Sequence, residues 1–387
     1  MKLKKLFAGI VAVAMMATMG ATSVFAEQIV VDSNKVKQNI GNPGKVNITK
    51  VIDGTGYGSE DVVFAIDNDS KPILVVHNTT LSQTDKDKLT ISIENTGNKV
   101  SISDSSADNT GRATGTLTIQ LPTYNSVGTY VYKFHEVAGS TAGMSYDKDY
   151  KYLVVNVYNE IVNDETTGNL LVNTVVLNKD PSDNLKDKNK GDLSGMTENK
   201  IDEINNKYEA GTYTVEKKVK GNMADRQQKF SFVVTFEKTA GTTLSGGIKM
   251  YKDGHANEVT LLDNTKLTFN SDNKATYPIE LTHGEKMHFE NIPYGVTVSV
   301  VEMDSNNKAV TDTNGEYTVS YNDEAKGVKL GTDEGERISG SAIITNTSTV
   351  NVNTGVILDN APYIALLTIV AAGAVVMIMK KRRNYED

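Results

Sequence analysis

Val46-Asn-Ile-Thr-Lys-Val-Ile52 alternates apolar and polar side chains with period two, the signature of a strand with one face turned to a core. The same texture returns in Leu117-Thr-Ile-Gln-Leu121, Tyr130-Val-Tyr-Lys-Phe134 and Tyr152-Leu-Val-Val-Asn-Val-Tyr158. It continues in Tyr213-Thr-Val-Glu-Lys-Lys-Val219, Phe230-Ser-Phe-Val-Val-Thr-Phe236, Val296-Thr-Val-Ser-Val-Val301 and Ala342-Ile-Ile-Thr345. Short Val-, Ile-, Tyr- and Phe-rich runs separated by Gly, Asn and Asp turns predict an all-β protein of sandwich type, and no long amphipathic helix interrupts them. The stretch 179–200, rich in Asp, Lys, Asn and Ser, lacks apolar periodicity and is expected to be a mobile loop or insertion.

The two halves repeat one plan. Ile48-Thr-Lys50 parallels Val215-Glu-Lys217, Tyr130 to Glu136 parallels Val296 to Glu302, and Ile204-Asn-Asn206 parallels Ile344-Thr-Asn346. Two tandem Ig-like β-sandwich domains, dividing near 209–212, are the simplest account.

Parity assigns a direction to the polar members of these runs. If Val46, Ile48 and Ile52 face a core, so does Lys50; Val215 and Val219 likewise carry Lys217 inward, while Lys218 points out. By the same counting Glu136, Glu302 and Asn206 face inward. An unpaired buried ammonium is strongly unfavourable, so each lysine needs a neutralising partner. A buried Lys–Glu ion pair would supply one but leave the asparagines unexplained.

Composition closes other readings. Of 387 residues, 39% are hydrophobic and 23% charged, and Cys is 0, which excludes disulfides, thiolate metal sites and a cysteine nucleophile. The five histidines lack metalloprotease spacing and no Gly-x-Ser-x-Gly accompanies them, so neither a turnover enzyme, a cofactor nor a metal is expected. Asp304, Asn306, Asp312 and Asn314 are oxygen-bearing, but Asp312-Thr-Asn-Gly315 reads as a hairpin turn and the ladder of an EF-hand loop is missing.

The ends suggest export. Residues 1–26 have a basic start, an apolar run and a Val24-x-Ala26 ending suited to signal-peptide cleavage. Residues 361–379 carry no charge and precede Lys380-Lys-Arg-Arg383, the pattern of a transmembrane segment with a cytoplasmic basic tail. Without these ends the net charge is about −12, which disfavours nucleic acid as a partner. Just ahead of the apolar segment lies Asn351-Val-Asn-Thr-Gly355, and this layout resembles a Gram-positive sortase sorting signal, although only Thr354 and Gly355 match the usual Leu-Pro-x-Thr-Gly. The resemblance implies that a sortase attacks the carbonyl of Thr354 and releases Gly355 onward.

The inward Lys, Glu and Asn, with Gly143-Met-Ser-Tyr-Asp147 and the segments 46–53, 128–160, 213–235, 291–302 and 341–355, resemble the streptococcal-type isopeptide-linkage domains of Gram-positive backbone pilins. The resemblance implies two intramolecular Lys–Asn amides, each assisted by a glutamate: Lys50 to Asn206 with Glu136, and Lys217 to Asn346 with Glu302. It implies the layout signal peptide 1–26, first domain 27–210, second domain 211–350 and sorting signal 351–387. Expected partners are sortases of the pilin-polymerising and housekeeping kinds, further copies of the chain, peptidoglycan and minor pilins, at the cell surface. No Tyr-Pro-Lys-Asn acceptor motif is present, and Lys200, six residues before Asn206, is the candidate acceptor lysine among Lys179, Lys186, Lys188 and Lys190. The alternatives are a non-polymerised wall-anchored adhesin or minor pilin, and a membrane-anchored protein in which Thr354 is not cleaved.

Overall fold

The computed structural model describes residues 29–31, 44–78, 81–186, 199–331 and 338–350, with 367, 369, 370 and 374. The predicted leader, Thr354 and Gly355, and nearly all of the predicted span lie outside the described residues. Among the described residues no helix is long and apolar enough to cross a membrane.

The first half contributes β1 (Ile29–Val31), β2 (Lys45–Asp53), β3 (Ser59–Ile66), β4 (Leu74–Val76), β5 (Ser92–Ile93) and β6 (Lys99–Ser103). They are followed by β7 (Arg112–Gln120), β8 (Gly128–Val137), β9 (Met144–Ser145), β10 (Lys151–Val162), β11 (Glu165–Leu177) and β12 (Glu203–Tyr208). One sheet runs β1-β11-β10-β8-β3-β6, with β4 on β8, and the other runs β5-β7-β2-β12-β9. Val46, Ile48, Phe64, Leu117, Tyr130, Tyr132, Phe134 and Leu153 fill the space between the sheets.

The second half repeats this architecture with β13 (Ala210–Lys220), β14 (Phe230–Glu237), β15 (Ile248–Lys252), β16 (Thr260–Leu262), β17 (Lys274–Leu281) and β18 (Lys286–Pro293). Then come β19 (Thr297–Met303), β20 (Thr313–Asn314), β21 (Tyr317–Tyr321), β22 (Val328–Lys329) and β23 (Ser339–Ser348). The sheets are β16-β15-β18-β13-β23-β21-β20 and β17-β14-β19-β22, enclosing Val215, Phe232, Phe236, Phe289 and Ile344. The molecule is all-β, two sandwiches in tandem.

Within the two sandwiches, the described α-helix is limited to single turns: α1 (Gln83–Lys86), α2 (Ser182–Lys186) and α3 (Asp323–Lys326). The second falls inside the stretch 179–200 expected to be a mobile loop or insertion, of which 187–198 lie outside the described residues. The Asp180 carboxylate accepts from the Ser182 amide at 2.9 Å, and Leu185 is buried beside Val131, Tyr152, Val154 and Leu177. One capped turn and one apolar anchor suffice to dock a segment whose composition otherwise lacks periodicity.

In each sandwich the first long strand and the last are parallel neighbours. In the first, β2 pairs with β12, setting Lys50 beside Ile204 and Ile52 beside Asn206; in the second, β13 pairs with β23, setting Lys217 beside Ile344 and Val219 beside Asn346. Parallel neighbours cannot be joined by a tight turn, so each domain returns to its starting strand only after a long excursion.

Only Glu209 separates β12 from β13. Around it the two halves interlock. Glu60, buried, accepts from Thr141 Oγ1 and Tyr146 OH, both at 2.7 Å, and Thr141 Oγ1 also lies 2.8 Å from Ser245 Oγ. Asn291 Nδ2 donates across the junction to the Gly56 carbonyl at 2.7 Å and within its own half to the Gly247 carbonyl at 2.9 Å. Gly246 packs so closely on Gly56 that a Cβ would stand 1.7 Å from the Gly56 carbonyl oxygen.

Candidate functional site

Each sandwich contains one buried constellation of Lys, Glu and Asn: five of the six are residues that parity turned inward, and Asn346 is the one that only the resemblance supplied. Lys50 and Asn206 come from adjacent strands of one sheet, and Glu136 comes from β8 of the opposite sheet, directly across from Phe64. Lys217 and Asn346 come from β13 and β23, and Glu302 from β19 opposite Phe232. In both domains the asparagine stands two residues beyond the lysine's paired position, so two sites more than a hundred residues apart in sequence share one register.

In the first site Lys50 Nζ donates to Asn206 Oδ1 at 2.6 Å and lies 2.8 Å from Glu136 Oε2, while Asn206 Nδ2 donates to Glu136 Oε1 at 2.6 Å. The main-chain N–H of Asp147 gives a further bond to Asn206 Oδ1 at 2.9 Å. Asp147 is itself held by Lys151, whose Nζ lies 2.8 Å from Oδ2. In the second site Lys217 Nζ donates to Glu302 Oε2 at 2.7 Å and also to Asn346 Oδ1. Asn346 Nδ2 donates to Glu302 Oε1 at 2.8 Å, and Asn314 Nδ2 reaches the same oxygen at 2.7 Å. Lys50, Lys217, Glu302 and Asn346 have no exposed surface.

Burial sets the protonation chemistry. Removal from water pulls the Lys50 ammonium below its usual range and pushes the Glu136 carboxyl above its own, against the opposing attraction between the pair. Burial brings Lys217 down to about 8, with Glu302 holding it from falling further. Its Nζ also lies 4.1 Å from the centre of the Phe230 ring, whose face attracts the charged form and so works against the loss of water that lowers it. Each site therefore presents an amine that burial helps to neutralise, a carboxyl that can carry the displaced proton, and a carboxamide carbon within reach.

A family model described as "Domain of unknown function (DUF7601)" matches residues 211–348. A curated protein named "Pilin", from Streptococcus pyogenes serotype M1, is 29% identical over 183 residues, covering 46% of this chain and 51% of that protein. The chain is similar to a streptococcal pilin. It spans about half the length of that curated relative. Among solved structures, the major pilin from Streptococcus pyogenes is 19% identical, with a TM-score of 0.43, covering 79% of this chain and 99% of that one. The pilus-presented adhesin Spy0125 (Cpa) is 18% identical, with a TM-score of 0.24, covering 51% of this chain and 36% of that one.

Lys200, the candidate acceptor, is exposed, bridges to Leu177 and lies 3.8 Å from Asp202. It is not part of either buried constellation. Asp304 accepts the amides of Asn306 and Lys308, both at 2.8 Å, so its carboxylate closes a turn, and among the described residues no cluster has metal-ligating geometry. Two participants escaped the sequence: the Asp147 amide, which carries no side-chain signature, and Asn314, which the turn motif around it concealed.

Proposed function

We propose that this chain is the structural shaft subunit of a covalently assembled surface pilus, each domain stapled by an amide that it forms within itself. The observation that carries the reading is the pair of buried Lys–Glu–Asn constellations with identical strand offset, one in each sandwich.

The step balances within each site. The neutral lysine attacks the asparagine Cγ through Nζ, and the carboxamide oxygen takes up negative charge. One proton from Nζ passes through the glutamate to Nδ2, the C–N bond breaks, ammonia leaves and a secondary amide remains. Lys50 would join Asn206 through Glu136, and Lys217 would join Asn346 through Glu302. No turnover follows, because the nucleophile is consumed; the chain is a substrate of its own fold rather than an enzyme. In a chain without cysteine the amide takes the place that a disulfide occupies in other exported proteins.

Export with the leader 1–26, sortase attack at Thr354 with loss of Gly355, and transfer to Lys200 of a neighbouring copy complete the reading. Final transfer to peptidoglycan would anchor the pilus in the cell wall, with minor pilins as further partners. The atypical Asn-Val-Asn-Thr-Gly and the missing Tyr-Pro-Lys-Asn motif favour a second reading, a singly anchored adhesin or minor pilin built from the same domains.

The decisive test is the intact mass of the secreted portion, 27–354, followed by tandem mass spectrometry of a digest. Two amides remove two ammonia molecules, about 34 Da in all. Cross-linked peptides 50–206 and 217–346 are expected; a mass equal to that of the sequence overturns the stapled-domain reading. A detergent-resistant ladder from surface extracts, lost in Lys200→Ala, separates the shaft from the singly anchored protein.

A further inference from the structure

The two constellations match in their three reacting residues but differ in a fourth donor. In both sandwiches that donor comes from chain directly adjoining the strand that lies outside the asparagine-bearing one. Beyond β12 lies β9, paired through Met144 and Ser145, and the chain leaving it sets the Asp147 amide on Asn206 Oδ1. Beyond β23 lies β21, with Val319 beside Asn346, and the hairpin partner β20 brings Asn314 back over the site. Gly315, at φ 61°, makes that tight return.

We infer that Asn314 is a fourth member of the second site, a positioning residue that fixes the carboxyl of Glu302 for proton transfer. The inference rests on reading Lys217, Glu302 and Asn346 as a bond-forming set. Glu302 Oε2 faces the nucleophile Lys217, and Oε1 faces the leaving nitrogen of Asn346. A terminal carboxyl torsion is broad and nearly two-fold, so two contacts with groups that themselves react leave its plane poorly held. Asn314 adds a non-reacting donor at 2.7 Å to the oxygen that faces the leaving group. When Asn346 Nδ2 departs as ammonia, Oε1 loses one of its two donors, and Asn314 keeps that buried oxygen satisfied in the product. It therefore acts on both sides of the step without touching the reacting carbon.

The first site solves a different part of the problem. There the extra donor stands on the carboxamide oxygen, where charge develops. Substitutions at Asn314 should thus slow the second bond and leave the first unchanged in the same molecule.

The test follows both bonds in time during cell-free synthesis of the full chain, quantifying the 50–206 and 217–346 cross-linked peptides by mass spectrometry. Asn314→Leu fills the space without a donor, and Asn314→Ser keeps a hydroxyl donor in a smaller side chain. In Asn314→Leu the 217–346 bond should form about tenfold more slowly, the upper range for losing a single hydrogen bond. Asn314→Ser should fall closer to the native chain, whereas a packing role would favour leucine over serine. Asn314→Ala gives the same comparison should leucine prevent folding, since it cannot overpack. Equal rates in the native chain and in the donor-free variants overturn the inference while the second bond, formed in all of them, keeps the proposed function standing. A leucine variant faster than the serine variant also overturns it. A native chain lacking the 217–346 bond overturns both together.

Discussion

Asn346→Ala tests what the proposed second staple contributes to stability, because it removes the electrophile and leaves Lys217 its Glu302 partner at 2.7 Å. The bonded native chain carries an uncharged amide where the variant keeps a buried Lys217–Glu302 pair, so the comparison includes the burial cost of that pair, whereas a glutamate substitution would leave the lysine with no carboxylate partner at all. The proposed bond would close a loop spanning 129 residues. Chain-entropy reasoning gives about 5 kcal/mol for a loop of that length at 25 °C. The carboxamide's own hydrogen bonds to Lys217 and Glu302 add about 1–2 kcal/mol. For a domain of about 140 residues the entropic part alone corresponds to a melting temperature lower by roughly 15–20 °C. Calorimetry of the whole protein should show the second-domain transition moving down by that amount, with the first-domain transition less affected. A shift below about 5 °C, in a preparation whose native counterpart carries the bond by mass, would refute the cross-link's role in holding the domain.

Three further outcomes follow from the same geometry. Glu136→Ala should leave Lys50 and Asn206 unjoined while the 217–346 bond still forms, giving one ammonia loss of about 17 Da instead of two by intact mass. The step needs Lys217 as the neutral amine, and burial brings that lysine down to about 8, so raising the pH through this value increases the fraction able to attack. The rate of forming the 217–346 bond, followed by peptide mass in folding chains, should therefore rise with pH up to about 8 and level off above it, and a rate unchanged between about pH 6 and pH 9 would contradict attack by the neutral amine. Gly246→Ala should force the domains apart, since the added carbon would meet the Gly56 carbonyl oxygen at 1.7 Å; small-angle scattering should then report a broader range of interdomain arrangements.

The face of each strand was legible because period two needs only neighbours in sequence. Lys50, Glu136, Asn206, Lys217 and Glu302 all lie on the buried face that alternation assigned them. Partnership was not legible: nothing in 46–52 or 204–208 says that these segments pair in parallel, since register belongs to the sheet and not to the strand. β11 was missed altogether, because Glu165-Thr-Thr-Gly-Asn at its start is turn-like and polar, and its pairing with β10 supplies what local preference does not. Asn314 was visible only as turn chemistry. Its contact with Glu302 spans 12 residues and exists only once β20 folds back beside β21.

If Lys200 accepts the neighbouring subunit and Thr354 joins the next, a pull on the pilus enters and leaves at those two residues. The shortest covalent path then runs along the chain from Lys200 to Lys217, crosses the second bond to Asn346 and continues to Thr354. The loop between Lys217 and Asn346 carries no load, whereas without that bond the whole second domain lies in series. The first bond is placed differently. Lys200 lies within the loop that joins Lys50 to Asn206, so the residues from 50 to 199 are off the path whether or not that bond forms. Its effect is to pin β12, the loaded strand, against β2, its parallel neighbour. Force spectroscopy on polymerised subunits should separate the two. Asn346→Ala should release about 400 Å of extra length per subunit, from 129 residues at about 3.3–3.6 Å each less the folded span they replace. Lys50→Ala should weaken the first domain without a comparable lengthening. Long extension in the Lys50 variant would mean that load does not enter at Lys200, and the acceptor would have to be sought N-terminal to β2, where the first domain would lie in series.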